Sequence, residues 1–336
     1  MEGNQIYFNH YTSICNEIYS LLKKIISREN ADGLLLSGGL DSSIIASFQK
    51  PKVTFTVSLE GYGSDRRYAK MISEKYRSKH IEVIISRNRL LKIEEKIISL
   101  FKTFDPIFIR NSSVIFAAVE KARETNVSKI LTGDGSDELF AGYNYLKRYY
   151  GRKEELELTL EKLWQSMHFS SEKIGNFFNV KIFSPYLDES FLLFAKSINV
   201  SLKIGNYQNR IWGKFILRKC FENWEHLEQI AWRKKEAQEE GSGFSNIRDY
   251  FDQIISDNEY SNHIFQIGTD EKVVIRNKEH LFYYLLYRKY FSFPQDDLHI
   301  KDKRICPHCN CSFKWNGNFC RVCGAFPINP IIRHFE

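Results

Sequence analysis

The sequence predicts an α/β fold, a doubly wound parallel sheet, followed by a mostly helical part and a small cysteine-rich unit. Three observations predict it. Short apolar segments typical of strands alternate with segments of helical periodicity as far as about residue 150. Beyond that point, segments of helical periodicity follow one another. Five of the seven cysteines lie within residues 306–323.

The individual elements follow from the spacing of apolar residues. A first amphipathic helix is predicted over residues 8–28. Its apolar face consists of Ile14, Ile18, Leu21, Leu22 and Ile25. Strands are predicted over residues 33–36, 53–59, 81–85 and 129–131, with a loop over 132–138. Further helices are predicted over residues 42–48, 68–76, 90–104, 114–124, 154–167, 189–197, 208–223, 244–256 and 278–291.

The elements predict five parts of the chain. They are an N-terminal helix (residues 1–30), an α/β domain (31–150), a helical part (151–291), a polar linker (292–304) and the cysteine-rich unit (305–336). Cys15 falls on the first helix, where we expect it to belong to the core.

The composition excludes a disordered chain, because 43% of the residues are hydrophobic and 15% are aromatic. Lys and Arg outnumber Asp and Glu by 48 to 41, a net charge of +7 that permits a nucleic-acid or polyphosphate partner without requiring one. No window approaches the ~18 apolar residues of a membrane span, and no signal peptide is visible. We therefore expect a soluble, cytoplasmic protein without a membrane partner.

The first chemical signal is LSGGLDSS, residues 36–43, between a strand and a helix. Its two glycines let the backbone approach an anion, and the helix start offers free N–H groups. Three hydroxyl donors are added by Ser37, Ser42 and Ser43. Asp41 would repel a phosphate unless Mg²⁺ bridges the carboxylate and the phosphate. The alternative is an ordinary Ser/Gly turn that caps a helix; the lysine of a Walker loop is missing.

The second signal is LTGDGSDELFAGY, residues 131–143, which also follows a strand. Its carboxylates, Asp134, Asp137 and Glu138, would be costly to pack without cations. They suit a loop that closes over magnesium pyrophosphate. A solvated acidic turn is the alternative.

With these two loops the sequence resembles the synthetase half of the glutamine-dependent asparagine synthetases, whose nucleotide domain is an N-type ATP pyrophosphatase of the adenine nucleotide alpha hydrolase-like fold. The resemblance is collinear over about residues 30–291. Further matching motifs are residues 104–113 (FDPIFIRNSS), 184–188 (SPYLD), 214–218 (KFILR), 231–236 (AWRKKE) with 241–243 (GSG), and 277–291.

The resemblance implies an ATP-dependent, AMP-forming amide ligase. An acid, with aspartate as the leading candidate, would be adenylated with release of pyrophosphate, and ammonia or another amine would then displace AMP. Lys235 would stabilise charge during adenylation, Asp134 would lie beside the reacting acyl group, and Arg110 and Lys173 would face phosphates or substrate. The residues that would contact ATP or its pyrophosphate are Leu36, Ser37, Gly38, Gly39, Ser42, Ser43, Val57, Thr132 and Gly133, and the Mg²⁺ ligands would be Asp41 and Asp137.

The sequence departs from the family in two respects. Glu2 follows Met1, where the family's glutaminase carries its nucleophilic cysteine, so we expect free ammonia, a separate glutaminase subunit or another amine as the nitrogen source. Phe183 and Ser170 replace arginines of the family on the acid-binding side. The identity of the acid is therefore left open.

The cysteine-rich unit carries two CxxC pairs, Cys306/Cys309 and Cys320/Cys323, separated by ten residues, a pattern typical of a tetrahedral zinc ribbon. Four thiolates leave no open position, so we expect a structural Zn²⁺. Cys311 or His308 could substitute as a ligand, and an iron–sulfur cluster or free thiols are the alternatives.

The role of this unit has two interpretations. Residues 301–336 contain six Lys or Arg against two acids, with aromatic residues among them, and could dock RNA, such as a tRNA, or a carrier protein. Either macromolecule could then be the substrate of the adenylation. The unit could instead cap the helical part. A nucleotide-binding regulatory module without turnover is a third possibility, against which the acidic loops and Lys235 argue.

Overall fold

Five strands form the sheet that positions the two loops. In chain order they are β1 (Gly33–Leu35), β2 (Val53–Leu59), β3 (Lys79–Ile85), β4 (Lys129–Leu131) and β5 (Lys181–Phe183). Their order in the sheet is β3-β2-β1-β4-β5, and β1 pairs in parallel with both β2 and β4. Because β2 and β4 lie on opposite sides of β1, a crevice forms at the carboxyl ends of β1 and β4. The prediction of a doubly wound parallel sheet is confirmed.

The computed structural model describes residues 2–225, 227–234, 236–294, 303–313 and 318–333. Two compact units divide the chain. Unit 1 comprises residues 1–57, 63–83 and 118–237, and unit 2 comprises residues 58–62, 84–117 and 238–336. The boundaries predicted at residues 30, 150 and 291 stay predictions, and most of the predicted linker lies outside the described residues.

The helices and remaining strands complete the fold. The helices are α1 (Glu2–Glu29), α2 (Leu40–Gln49), α3 (Asp65–Lys75), α4 (Arg87–Phe101), α5 (Pro106–Glu124), α6 (Ser136–Leu139), α7 (Lys153–Ser166), α8 (Ser171–Phe178), α9 (Glu189–Ser197), α10 (Phe215–Phe221), α11 (Glu228–Ala231), α12 (Gln238–Gly241), α13 (Ile247–Ile254), α14 (Asp257–Asp270) and α15 (Lys278–Tyr290). The strands are β6 (Ile204–Tyr207), β7 (Arg210–Gly213), β8 (Lys303–Ile305), β9 (Ser312–Phe313) and β10 (Ile331–Arg333). Short 3₁₀ turns cover Asn144–Tyr149, Pro185–Leu187, Val200–Leu202 and Phe244–Asn246. None of the helices in the described ranges is long and apolar enough to cross a membrane.

The core of unit 1 is built on the apolar face predicted for the first helix. Ile18, Leu22 and Ile25 of α1 are buried, and α1 packs against α2 and α10. Full burial of one such side chain stabilises the fold by about 1.5–3 kcal/mol. This packing holds α2, the helix that begins within residues 36–43, against the sheet.

The prediction of one helix over residues 208–223 is wrong. The chain forms the hairpin β6–β7 there and only then the helix α10. Gln208 and Asn209 have φ of 50° and 58°, the left-handed conformation that a two-residue hairpin loop requires at both positions. The backbone therefore reverses its direction within the segment that apolar periodicity predicts as one helix.

The helix predicted over residues 114–124 begins eight positions earlier. Pro106 is its first residue, a position where the missing N–H costs nothing because it has no partner inside the helix. Arg110 and the serines that follow it therefore lie on a helix.

Cys15 packs against the core of unit 1, as expected, but it is also covalently bonded. Cys15 of α1 and Cys220 of α10 form a disulfide, with an S–S distance of 2.04 Å and a Cα–Cα distance of 5.2 Å. The two cysteines are 205 residues apart, and only the packing of α1 on α10 brings them together.

Candidate active site

The two sequence motifs meet at the switch point of the sheet. Residues 36–43 follow β1, and residues 132–138 follow β4, the neighbouring strand. The Ser136 hydroxyl donates a hydrogen bond of 2.7 Å to Oδ1 of Asp41. This bond joins the second motif directly to the first. The segment predicted as a loop contains the start of the short helix α6, which begins at Ser136.

Gly38 and three serines shape the first loop. Gly38 has φ of +67°, and a Cβ at this position would lie 2.5 Å from the backbone nitrogen of Ala69, so no other residue fits without strain. The hydroxyls of Ser37 and Ser42 lie 3.2 Å apart. Ser43 is fully buried, and its Oγ has no hydrogen-bond partner among the described residues. The first turn of α2 thus presents a donor that a phosphate oxygen can accept from.

Two carboxylates converge on one positive charge. Nζ of Lys214 lies 2.5 Å from Oδ2 of Asp41 and 2.8 Å from Oδ1 of Asp137, and the Lys214 side chain is only 3% exposed. Burial lowers the pKa of Lys214, but the two carboxylates raise it by more, so the pKa is above its ordinary value and the lysine stays charged. A hard cation with oxygen ligands suits the same pair of carboxylates, so the donor set fits Mg²⁺.

Sequence reasoning missed this role of Lys214. In the sequence Lys214 is the first residue of KFILR, and 173 positions separate it from Asp41. Lys214 has φ of 53° and follows the hairpin β6–β7, which turns its side chain toward the acidic loops. A left-handed lysine leaves no signal in apolar periodicity.

Asp134 is held by two serines. Its Oδ2 accepts a hydrogen bond of 2.6 Å from Ser171, the first residue of α8, and its carbonyl accepts one of 2.5 Å from Ser184. Burial raises the pKa of the Asp134 carboxyl. The position next to the reacting acyl group, which the resemblance implies for Asp134, stays a prediction.

Four of the residues predicted to contact ATP lie toward the carboxyl ends of three adjacent strands. Leu36 follows β1, Val57 lies within β2, and Thr132 and Gly133 follow β4. Leu36, Val57 and Thr132 are buried. Lys173 is exposed on α8, two positions after Ser171.

Lys235, the predicted catalytic lysine, lies outside the described residues. Arg233, two positions earlier in the sequence, contacts the first loop. One Arg233 nitrogen donates a hydrogen bond of 3.1 Å to the carbonyl of Gly38, and another lies 2.7 Å from Oδ1 of Asp65. The guanidinium also stacks over the Tyr68 ring at 3.9 Å. Arg233 is thus a second residue of the site that sequence reasoning left without a role.

Arg110 belongs to unit 2, where it forms an ion pair with Glu279 of α15. The two side chains are 1% and 3% exposed. Its predicted contact with phosphates or substrate stays a prediction.

The four predicted zinc ligands come together in unit 2. The Sγ atoms of Cys306, Cys309, Cys320 and Cys323 lie within 4.8 Å of one another. The Cys306–Cys323 and Cys309–Cys320 pairs are each 3.7 Å apart. A tetrahedron with Zn–S bonds of ~2.3 Å has an edge of about 3.8 Å, so the cluster fits a zinc ion. Cys311 is outside this cluster.

The fold and the site define a doubly wound α/β protein whose two aspartate-bearing loops meet at the switch point of the sheet. The asparagine synthase family model matches residues 31–177 and 151–292. The chain therefore belongs to the asparagine synthase family.

Curated relatives of the chain are glutamine-hydrolyzing asparagine synthetases. The protein from Zea mays is 29% identical over 306 residues, which are 82% of this chain and 50% of the relative. Asparagine synthetase B from Escherichia coli is 29% identical over 288 residues, 78% of this chain and 50% of the relative. Asparagine synthetase 1 from Arabidopsis thaliana is 29% identical over 294 residues. The chain spans about half the length of these relatives.

Proposed function

We propose that this chain is an ATP-dependent, AMP-forming amide ligase of the asparagine synthetase type. Its first step would join a carboxylate to the α-phosphate of ATP with release of pyrophosphate, and an amine would then displace AMP. The observation that carries the proposal is the convergence of Asp41 and Asp137 on one positive charge beside the serine-rich loop of α2. The similarity to asparagine synthetases makes aspartate the leading acid.

The chemistry explains the arrangement. A carboxylate acylates poorly because oxide is a poor leaving group, whereas AMP leaves readily. Attack on the α-phosphate concentrates negative charge on that group and on the departing pyrophosphate. A Mg²⁺ ion held by Asp41 and Asp137 would supply a Lewis acid for this charge. Fixed donors aimed at such charge are each worth about 3 kcal/mol of barrier, the role that we assign to Ser37, Ser42 and Ser43.

Two further residues take roles in this proposal. Lys235 would neutralise charge on the phosphates during adenylation, since a lysine is a compact charge on a flexible stem. Asp134, fixed by Ser171 and Ser184, would orient the acid or the incoming amine. Lys173 would contribute to the phosphate or substrate contacts, and the role implied for Arg110, which is buried in unit 2, stays a prediction.

The nitrogen donor is ammonia or another amine, delivered free or by a separate glutaminase subunit. Phe183 and Ser170 remove two cations that would neutralise a dicarboxylic acid. The exchange assay should therefore include acids with one carboxylate as well as aspartate.

We also propose that the four cysteines hold one structural Zn²⁺.

Acid-dependent exchange of pyrophosphate into ATP tests this function. We expect exchange that requires Mg²⁺ and an acid. When an amine is added, the complete reaction should release AMP. Asp41→Asn should abolish the exchange, while Asp257→Asn, at an exposed aspartate of α14 outside the matching motifs, should retain it. Exchange seen only with RNA or a carrier protein present would favour the macromolecular substrate. Formation of ADP would contradict the proposal.

A further inference from the structure

We propose that the zinc-bound cysteine unit is an internal clamp that fixes the start of α5 and thereby positions Arg110 and Glu279. The inference rests on the proposed zinc site and concerns unit 2 alone. It gives the cysteine unit a partner within its own chain.

The knuckle formed by residues 320–324 is joined by hydrogen bonds to the segment that leads into α5. The Thr103 hydroxyl donates hydrogen bonds of 2.9 and 3.0 Å to the carbonyls of Arg321 and Val322. The Phe104 N–H donates one of 2.8 Å to the carbonyl of Val322. Because Pro106 is the first residue of α5, the knuckle holds the chain immediately before the helix begins.

Asp105 and Gly324 are in close contact. A Cβ on Gly324 would lie 2.2 Å from Oδ1 of Asp105, and Gly324 has φ of +72°, so only glycine fits here. The same Oδ1 accepts a hydrogen bond of 3.1 Å from the N–H of Ile107. The carboxylate thus satisfies a free N–H in the first turn of α5 while it packs on the knuckle.

A second contact holds the start of α15. The Arg276 guanidinium donates hydrogen bonds of 2.6 and 2.7 Å to the carbonyls of Cys323 and Gly324. The N–H of Val274 donates one of 2.7 Å to the carbonyl of His308, in the other knuckle, residues 306–309. Arg276 lies three residues before Glu279.

Both members of the buried ion pair therefore follow segments that the knuckles hold. Arg110 lies five residues after Asp105, and Glu279 lies three residues after Arg276. A buried ion pair needs close geometry to offset the loss of hydration, so its partners depend on fixed helix starts. The zinc ligands are thus linked to Arg110 and Glu279 through two short segments of backbone.

The same contacts argue against a docking surface on this side of the knuckle. Four consecutive carbonyls, those of residues 321–324, accept hydrogen bonds from within unit 2. Arg321 is partly buried rather than presented to a partner. Lys301, Lys314 and Trp315, on which an RNA-binding face would depend, lie outside the described residues.

Hydrogen exchange of the full chain, with zinc bound and after chelation, tests the clamp. We expect amides of residues 104–112 to exchange at least about tenfold faster without zinc, since each lost hydrogen bond is worth about a factor of ten. Residues 36–43 and 130–137 of unit 1 serve as the internal control and should not change. Faster exchange confined to residues 303–333 would overturn the proposal.

Thr103→Val tests the clamp with all four cysteines intact, which matters if chelation unfolds unit 2. The control is Thr125→Val, a partly buried threonine whose hydroxyl also donates to two carbonyls, far from the cysteines in sequence. Thr103→Val should release zinc to a chelator several-fold faster and speed exchange at residues 104–112, and Thr125→Val should do neither. After chelation, Thr103→Val should have no further effect on these amides, because the contact it removes is already lost.

Equal zinc release from the two variants would overturn the clamp. Zinc-dependent binding of single-stranded RNA with no change at residues 104–112 would also overturn it and favour a docking role. Neither measurement needs turnover, so failure of the clamp is distinguishable from failure of the ligase proposal.

Discussion

Ser136 donates a hydrogen bond to Asp41 across 95 positions of the chain. The serine begins α6, at the end of β4, and the aspartate lies in the first turn of α2, after β1. This bond orients one of the two carboxylates that face Lys214 and leaves its other oxygen directed at the positive charge. The site thus depends on a contact that neither motif contains alone.

Ser136→Ala should weaken the site without unfolding the protein. A hydrogen bond to a charged acceptor is worth about 1.5–3 kcal/mol, so we expect pyrophosphate exchange to fall roughly 10- to 100-fold, with a higher Mg²⁺ requirement. Ser197→Ala, which removes an exposed hydroxyl of α9 that donates only to a carbonyl of its own helix, is the control. Equal exchange in both variants would show that Asp41 needs no such orientation.

Lys214→Met should destabilise the metal-free protein. Removal of the lysine leaves two carboxylates partly buried without a cation, a loss of about 3–5 kcal/mol. Mg²⁺ should restore part of the stability by binding to the freed carboxylates. Thermal unfolding in EDTA and in Mg²⁺ measures both effects.

Lys70→Met in α3 is the control. Lys70 pairs with Glu74 at the surface, and such a pair contributes about 0–1 kcal/mol. Similar unfolding temperatures for the two variants, with or without Mg²⁺, would contradict the role of Lys214.

Glu94→Gln should change how stability depends on pH. Glu94 is fully buried and accepts a hydrogen bond of 2.7 Å from Tyr283, and burial raises the pKa of its carboxyl to about 8. The folded state therefore holds this proton more tightly than the unfolded state, whose glutamate pKa is about 4.3. The stability from Glu94 is complete below that value and is lost as pH rises toward 8.

Glu95→Gln is the control for this pH dependence. Glu95 also accepts a hydrogen bond from a tyrosine of α15, Tyr290, but at an exposed position. Near pH 8, Glu94→Gln should be more stable than the wild type by up to about 3–5 kcal/mol, and Glu95→Gln should match the wild type. Parallel stability–pH curves for all three proteins would show that Glu94 does not titrate in this range.

Replacement of Cys15 and Cys220 by serine should destabilise the protein. The disulfide closes a loop of 205 residues, and bridges of this kind contribute about 3–5 kcal/mol. Cys311→Ser, which changes a cysteine outside the four-thiol cluster, should have little effect. Denaturant unfolding without reductant compares the variants, and identical midpoints would contradict a stabilising bridge.

The sequence predicted local structure where one physical rule dominated. Strands over residues 53–59 and 129–131 match β2 and β4, and in β2 (VTFTVSL) apolar residues alternate with Thr and Ser at the period of a strand. The two loops were found because glycines and carboxylates directly after a strand have few structural uses.

The features that the sequence did not predict depend on contacts between distant parts of the chain or on an unusual backbone conformation. The hairpin needs two residues in the left-handed conformation, and it has Gln208 and Asn209 there instead of the glycine that would signal such a turn. The contact of Lys214 with Asp41 and the bond of Cys15 to Cys220 each join residues more than 170 positions apart. Neither feature alters the local spacing of apolar residues.

The central claim is that nucleotide phosphates bind at the switch point between β1 and β4. A crystal structure with Mg²⁺ and an ATP analogue that cannot be cleaved between its α- and β-phosphates tests it most directly. We predict phosphates within hydrogen-bond distance of residues 37–43 and a metal ion that contacts Asp41 and Asp137, with Nζ of Lys214 displaced from between them. Phosphates bound elsewhere, or an unchanged Lys214 between the two carboxylates, would contradict the account.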